Sequence, residues 1–243
     1  MTFLFRLLRE IPPRLLGSFV IKAGLGNLRA IRRFEQRKKQ GAVFPPFLFI
    51  SVTQRCDLAC KGCWATGVEK PVDMSEALLH QIVTEGREQG CRFFGILGGE
   101  PLLLPWLPDF FRRHRNLYFQ LFTNGQRLDD ALARKLRKAG NVSPLISIEG
   151  NALSYAARRG AGTAYETALT AIDACRRQGL VTGVATSIST SNFNDVVNPA
   201  FLDDMVARGA HYVWYYLYRP SGPEPGFGEA LNDTQVREAR RFL

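Results

Sequence analysis

The sequence predicts an α/β fold of six strand–helix units, laid out either as a partial barrel or as an open, doubly wound sheet. From Phe44 onward, short runs of β-forming apolar residues alternate with helix-periodic segments. A strand followed by a helix, six times over, implies parallel strands joined by crossover helices. Polar or glycine-rich residues recur just after four of the strands, which is where the reactive site of a parallel α/β fold is expected. The length of 243 residues exceeds the roughly 100–150 of a usual domain but suits one α/β barrel.

The elements follow in order. Phe47–Val52 is the first strand. Asp73 stands three residues before Glu76 in a capping-box pattern and opens a helix that Gly90 closes. Arg92–Leu97 is the second strand. A helical segment near Trp106–His114 leads to the third, Leu117–Phe122. Asp129 or Asp130 caps a helix ending at Gly140, and Val142–Ile148 is the fourth strand. Thr163 and Glu166 repeat the capping box ahead of a helix whose buried face is Tyr165, Leu169, Ile172 and Cys175. Leu180–Ser187 is the fifth strand, a helix runs from about Val196 to Arg208 and stops at Gly209, and His211–Leu217 is the sixth. Residues 44–228 are thus the barrel. Glu229–Leu243 begins a further helix, capped by Asn232 or Asp233, with no closing glycine, and reads as the start of an extension.

Hydrophobic residues make up 46% and charged residues 22%, a globular balance that argues against disorder. The longest charge-free stretch, Gln178–Asn194, is broken by Gly183 and several Ser, Thr and Asn, and so does not read as a membrane span. No signal peptide is legible, and five cysteines do not make a secreted disulfide scaffold, so the expected location is the cytoplasm. The net charge of +10 is uneven: residues 1–40 hold ten Lys/Arg against Glu10 and Glu35. After Pro12-Pro13, the residues Leu15, Leu16, Phe19, Val20 and Ala23 recur at helical spacing, and Leu28, Ile31 and Phe34 follow among arginines. Residues 1–43 therefore read as a basic amphipathic helical arm. Such an arm can simply cover the barrel, or can make peripheral contact with an anionic membrane through residues 1–40. No nucleic-acid partner is expected, because the arm lacks interleaved polar side chains and the body has no basic stripe.

Cys56-x3-Cys60-x2-Cys63 is the strongest signal. Three thiolates on a loop after a strand can converge on one metal centre. A structural zinc normally takes four protein ligands, and so does a [4Fe–4S] cluster. With three, one iron stays open to an exogenous ligand. Cys91 and Cys175 read as ordinary thiols rather than fourth ligands.

These residues resemble the radical S-adenosylmethionine (radical SAM) superfamily, whose hallmark is CxxxCxxC after the first strand of a partial (βα)6 barrel. The likeness extends over residues 46–218. Gly98-Gly99-Glu100-Pro101 resembles the family's GGE segment, Phe122-Thr123-Asn124-Gly125 its "TNG", Ile146-Ser147-Ile148-Glu149-Gly150 its "SLDG", and Arg159-Gly160 its following "RG". The branch most alike contains the SPASM-type peptide maturases and the molybdenum-cofactor cyclase. One departure is clear: Gly62 stands where an aromatic residue often precedes the third cysteine, and Trp64 follows it. Adenine packing then falls to Trp64 or to a later strand.

The resemblance implies a partial (βα)6 TIM-like barrel with an N-terminal helical extension. It implies that Cys56, Cys60 and Cys63 hold three irons of a [4Fe–4S] cluster whose fourth iron binds S-adenosylmethionine. A low-potential donor of flavodoxin or ferredoxin type would drive cleavage to methionine and a 5′-deoxyadenosyl radical, which takes hydrogen from an unidentified peptide, small-molecule or lipid substrate. Gly98 and Gly99 then allow close backbone approach, and Glu100 accepts from the cofactor's ammonium. Ser147 is the candidate for the ribose or carboxylate, Arg159 for the carboxylate, and Asn124 for a cofactor contact. Glu149 is the candidate catalytic carboxylate, on the same face of strand four as Ser147. Each has a plainer reading: a strand-to-helix turn for Gly98–Glu100, a turn residue for Asn124, an ion pair with Arg159 for Glu149. The aromatics of strand six either face substrate or fill the barrel. The competing function is a non-catalytic iron–sulfur electron-transfer or scaffold protein, which would favour four protein ligands.

Overall fold

The structure is a computed structural model that describes residues 3–41, 43–65, 68–160, 162–221 and 225–243. Residues 1, 2 and 42 of the predicted arm lie outside them. Six parallel strands form one sheet: β1 Phe47–Ser51, β2 Phe93–Leu97, β3 Tyr118–Thr123, β4 Val142–Ser147, β5 Gly183–Ile188 and β6 Tyr212–Leu217. Their spatial order is β1-β2-β3-β4-β5-β6, with no reversal. A doubly wound sheet needs a reversal, where crossovers change face. Sequential order keeps all crossovers on one face, and the sheet curls into a partial barrel.

The helices are α1 Phe3–Glu10, α2 Pro13–Ser18, α3 Gly26–Lys38, α4 Glu76–Glu88, α5 Leu107–Arg113, α6 Asp130–Ala139, α7 Ala152–Arg159, α8 Ala164–Arg177, α9 Phe193–Val196, α10 Pro199–Arg208 and α11 Asp233–Phe242. Five details differ from the sequence reading. Ser75, not Asp73, caps α4 by accepting from the Leu78 amide, because Asp73 is already bonded to Thr53 and Arg55. Thr163 makes no side-chain cap on α8. β5 starts at Gly183 rather than Leu180. The helix expected from about Val196 to Arg208 begins at Pro199, which lacks an amide hydrogen and opens α10 behind its cap Asn198, and the short α9 ahead of it ends at Val196. Helix α7 was not foreseen; it is eight residues long and buries only Tyr155, too little for a periodic pattern. Asn232 does cap α11, with a full capping box to Gln235.

Aromatics line the inner face of the partial barrel, Phe49 among them still partly open to solvent. Phe49, Phe122 and Trp214 pack edge to face with ring centroids 5.7–6.1 Å apart. Gly95 and Gly183 make room: an added Cβ would stand 2.1 Å from the Phe49 ring and 2.3 Å from that of Tyr212. Tyr212 reaches across to Gln120 and to the Ser143 hydroxyl. Strand six therefore divides: Tyr212 and Trp214 are barrel core, and Tyr216 alone reaches the upper cavity. Tyr215 points outward, its hydroxyl donating to the Val196 carbonyl.

The arm lies under the amino ends of the strands. Leu7, Ile11, Leu15 and Ala30 are buried in the core, and Phe19 meets Tyr118 with ring centroids 5.6 Å apart. Between α2 and α3, Phe19–Leu25 is wound as a π-helical stretch, with the Gly26 amide donating to Ile21. Gly24 and Gly26 do not break the arm, but they relax its winding. Among the described residues no helix is long and apolar enough to cross a membrane.

Candidate active site at the carboxyl ends of the strands

The cysteine loop is pinned at its neck. After β1, the Met74 amide donates to Val52 and the Gln54 amide to Val72, so the outgoing and returning chains pair over two residues. Asp73 completes the neck by accepting from the Thr53 hydroxyl at 2.6 Å and from Arg55 at 2.9 and 2.5 Å. Closing the loop in this way reduces the chain entropy lost when its thiols gather.

The double glycine after β2 supports the loop from beside. The Gly99 amide donates to Thr53 and the Glu100 amide to Arg55. A Cβ on Gly99 would stand 2.0 Å from the Arg55 carbonyl oxygen and 3.1 Å from the Cys56 Cβ, and one on Gly98 would stand 2.5 Å from the Thr53 oxygen. The immediate need for these glycines is thus the approach of the cysteine loop's backbone. Both residues also border the cavity.

Glu100 is placed differently from expectation. It is fully buried, off the cavity wall, and its oxygens accept from the Leu102 amide, the Thr123 hydroxyl and the Asn124 amide. It joins the ends of β2 and β3 instead of presenting itself to an ammonium group. Burial pushes its carboxyl up to about 7, against the pull of those three hydrogen bonds. Asn124 does reach the site: its Nδ2 donates to Asp57 at 2.7 Å and lies 3.7 Å from the Cys56 sulfur. Arg127 holds the other Asp57 oxygen at 2.9 Å. Asp57, inside the triplet, and Arg127 were not singled out from sequence, although an acid between the cysteines was a legible hint.

The expectation that Glu149 faces the cavity also needs correction. β4 ends at Ser147, so strand alternation does not extend to Glu149. Ser147 borders the cavity; Glu149 is 1% exposed and lies beneath two arginines. Arg158 reaches its Oε2 at 2.9 Å, and Arg159 reaches its Oε1 at 2.5 and 3.1 Å. Burial works against the charge on Arg159, but Glu149 outweighs it and holds the guanidinium above its ordinary range. The same guanidinium lies 3.8 Å from the Cys60 sulfur. Arg158, missed from sequence, was adjacent to the residue that was found.

Gly62 has a structural reason. It sits at φ +63°, and a Cβ there would meet the Tyr218 hydroxyl at 2.0 Å. Tyr218, just past β6, lies under Arg158, whose guanidinium carbon is 5.2 Å from the ring centroid, and donates to the Pro225 carbonyl. An aromatic from just beyond the sixth strand thus occupies the space beside Gly62. Trp64 stands on the same cavity, half exposed.

Cys56, Cys60 and Cys63 border one cavity of about 390 Å³ together with Gly98, Gly99 and Arg159. Among the described residues no three His, Cys, Asp or Glu side chains are drawn tightly around one point, so the thiols border a shared space rather than a closed cage. The donor set fits a three-thiolate cluster. Amides of Leu58 and Ala65 point to the sulfurs of Cys56 and Cys63, and Asn124 and Arg159 lie against Cys56 and Cys60. Burial pushes the Cys56 and Cys60 thiols up, a cost that metal ligation removes by fixing them as thiolates. Cys91 donates to the Pro45 carbonyl at the opposite end of the barrel, and Cys175 is buried in α8. Neither borders the cavity.

The comparisons with known proteins agree with this geometry. The chain is 29% identical over 204 residues to a pre-heme d1 synthase from Dinoroseobacter shibae, and 26% identical over 202 residues to an Fe-coproporphyrin III synthase from Methanosarcina barkeri. Each alignment covers 82% of this chain and 50% of the relative, so the chain spans about half the length of the curated relatives it matches. In fold it is similar to Streptococcus suis SuiB, solved bound to S-adenosylmethionine, with a TM-score of 0.73 at 16% identity over 87% of this chain and 50% of that one. The family profile described as "Radical SAM superfamily" matches residues 50–198, from β1 to the turn before α10, and the chain therefore belongs to the radical SAM superfamily.

Proposed function

We propose that Cys56, Cys60 and Cys63 hold a [4Fe–4S] cluster with one open iron, and that the chain is the radical-generating part of a radical SAM enzyme. The observation that carries this is three thiols bordering one cavity with no fourth Cys or His among its described walls. A cluster held by these three thiolates would supply the electron for cleaving S-adenosylmethionine to methionine and a 5′-deoxyadenosyl radical. The chain's own residues do the rest. Arg159, its Nε and Nη2 held by Glu149, keeps its Nη1 beside the Cys60 sulfur to meet a carboxylate at the cavity wall. Gly98 and Gly99 leave backbone open at the wall, Ser147 and Asn124 supply hydrogen-bonding groups, and Trp64, Tyr216 and Tyr218 offer rings for a base. Phe49, Phe122 and Trp214 form an aromatic floor beneath the cavity.

A second cavity of about 680 Å³ shares Gly62, Arg158 and Tyr218 with the first and is bordered further out by Lys61, Ser191 and Phe227. We assign the substrate to it. The relatives that cover most of the chain carry the names of heme-type synthases, and among the solved likenesses is SuiB bound to its precursor peptide SuiA. The reductant is proposed to be a low-potential flavodoxin- or ferredoxin-type protein, and peripheral contact with an anionic membrane through residues 1–40 is retained as a proposal. The decisive experiment is anaerobic reconstitution with iron and sulfide, followed by electron paramagnetic resonance of the reduced protein. A [4Fe–4S]⁺ signal that shifts on adding S-adenosylmethionine is expected. A cluster indifferent to it would favour the electron-carrier reading, and zinc without a cluster would overturn the assignment.

A further inference from the structure

The underside of the barrel, opposite the cysteines, carries positive charge without counter-charge. Two cavities of about 340 and 560 Å³ meet there and share Ile21 and Lys22 as walls. The arm contributes Arg14, Lys22, Arg29 and Arg33 to them; Arg92, before β2, and Arg115, before β3, come from the barrel. Among the described residues no acidic side chain borders either cavity. Elsewhere the basic residues are often matched, as in Arg55–Asp73, Arg127–Asp57, Arg177–Asp130 and Arg208–Asp204. None of the six cations below is in an ion pair among the described residues. Of the arm's two acids, Glu10 is already paired with Arg6, and Glu35 borders neither cavity.

The cluster is built, not incidental to a flexible surface. Gly26 lets the arm approach Arg92, since a Cβ there would stand 3.3 Å from the Arg92 Cβ, and Gly90, at φ +98°, leaves room for the Arg33 stem at 3.0 Å. Lys22 is half-buried; burial, and then Arg14 and Arg115, hold its ammonium below the ordinary range. Beside the cavities runs an apolar ridge. Ile21, Leu25 and Leu28 follow one another at helical spacing, at 60%, 48% and 54% exposure, with Val20 alongside at 48%.

We propose that this underside binds the phosphate group of an anionic phospholipid, held by Lys22, Arg29, Arg33 and Arg92, with Ile21, Leu25 and Leu28 entering the lipid surface. Cations around a cavity match a phosphate, and an exposed apolar ridge next to them matches the acyl boundary below the headgroup; a soluble phosphate would not need the ridge. The inference rests on the membrane-contact reading only for the source of the phosphate, and not at all on the cluster chemistry. It leaves the cysteine face open to reductant and substrate while the opposite face lies on the membrane.

The test is sedimentation of the full chain with vesicles of phosphatidylcholine alone, and of phosphatidylcholine mixed equally with phosphatidylglycerol. Deleting residues 1–40 is not a clean test, because Leu7, Ile11 and Leu15 belong to the core. The informative variant is Lys22→Gln/Arg29→Gln/Arg33→Gln, set against Arg134→Gln/Lys135→Gln/Arg240→Gln, an exposed set with the same change in charge. Should the first variant melt early, Arg29→Gln/Arg33→Gln alone, both exposed, replaces it. Binding is expected only to the anionic vesicles, weakened roughly 100-fold by the cavity variant and far less by the control. Leu25→Ser/Leu28→Ser is expected to weaken it as well. Equal weakening by both charge sets would overturn the pocket while leaving membrane contact standing. No vesicle binding by the parent chain would overturn both, and retention of inorganic phosphate without vesicle binding would assign the site to a soluble phosphate.

Discussion

Glu149→Gln separates a carboxylate that positions the site from one that acts in it. The substitution keeps the volume and removes the charge that two guanidinium groups share, Arg158 at 2.9 Å and Arg159 at 2.5 Å. Breaking a buried ion pair from one side costs about 3–5 kcal/mol, because the other charge is left buried and unmatched. Here the arginine side chains keep 20% and 15% exposure and can rehydrate in part, which puts the cost at the lower end, about 3 kcal/mol. For a domain of this size that corresponds to a fall in Tm of about 6–12 °C. Equilibrium unfolding in urea, under argon and with reduced thiols, measures it. A second readout follows from the contact between Arg159 and Cys60: Glu149 disfavours the Cys60 thiolate, but less than Arg159 favours it, so once the arginine is loosened the thiol is on balance less easily ionised and is alkylated more slowly. Glu149→Asp keeps the charge one methylene short and is expected to recover part of both losses. If Glu149→Gln unfolds within about 1 kcal/mol of the parent chain, and Cys60 alkylates as before, the positioning argument fails. Loss of turnover in such a variant would return Glu149 to a direct catalytic role.

Four further outcomes are expected. Gly99→Ala places a Cβ 2.0 Å from a backbone oxygen that cannot swing away, so it should displace the cysteine loop and lower iron incorporation, which iron analysis after reconstitution measures. Gly62→Ala takes on a left-handed backbone and displaces the Tyr218 hydroxyl from Pro225, together costing about 2–3 kcal/mol in urea unfolding; a loss under half of that would refute the contact. Glu100, with its folded pKa raised to about 7 from 4.5, contributes stability that is full at low pH and is lost as pH rises through 7. Between pH 5 and 8 the parent chain should lose about 2.5 kcal/mol relative to Glu100→Gln, and parallel profiles would contradict this. Asp73→Asn weakens a largely exposed neck, so limited proteolysis between Arg55 and Val72 should speed up while global stability falls by only about 1 kcal/mol.

Much of this protein was legible in one dimension because its signals are local. The strands are short β-forming runs, Gly140 and Gly209 end helices in the left-handed conformation, and Asp129 and Asn232 are caps; each is fixed by residues a few positions apart. The cysteine triplet, the glycine pair, Asn124 and Ser147 were found because spacing after a strand places residues at the carboxyl end of the sheet, whatever the strand order, whereas Arg159, at the end of α7, came only from the resemblance. The alternation alone did not give strand order, since partial barrel and doubly wound sheet share it; the resemblance implied the partial barrel, and the β1-to-β6 sequence of pairings bears it out. The direction of a buried carboxylate was legible only as one alternative, the Glu149–Arg159 ion pair, and for Glu100 not at all. Glu100 and Glu149 stand where spacing put them, but their oxygens turn away from the cavity because amides, a hydroxyl and two arginines from distant segments compete for them. The gap at Gly62 shows the same limit: the sequence revealed a missing aromatic, and only packing brought Tyr218, 156 positions later, to the place beside it. Local spacing determines which side chains arrive at the site, and long-range competition for hydrogen bonds and charge determines which of them remain available to a ligand.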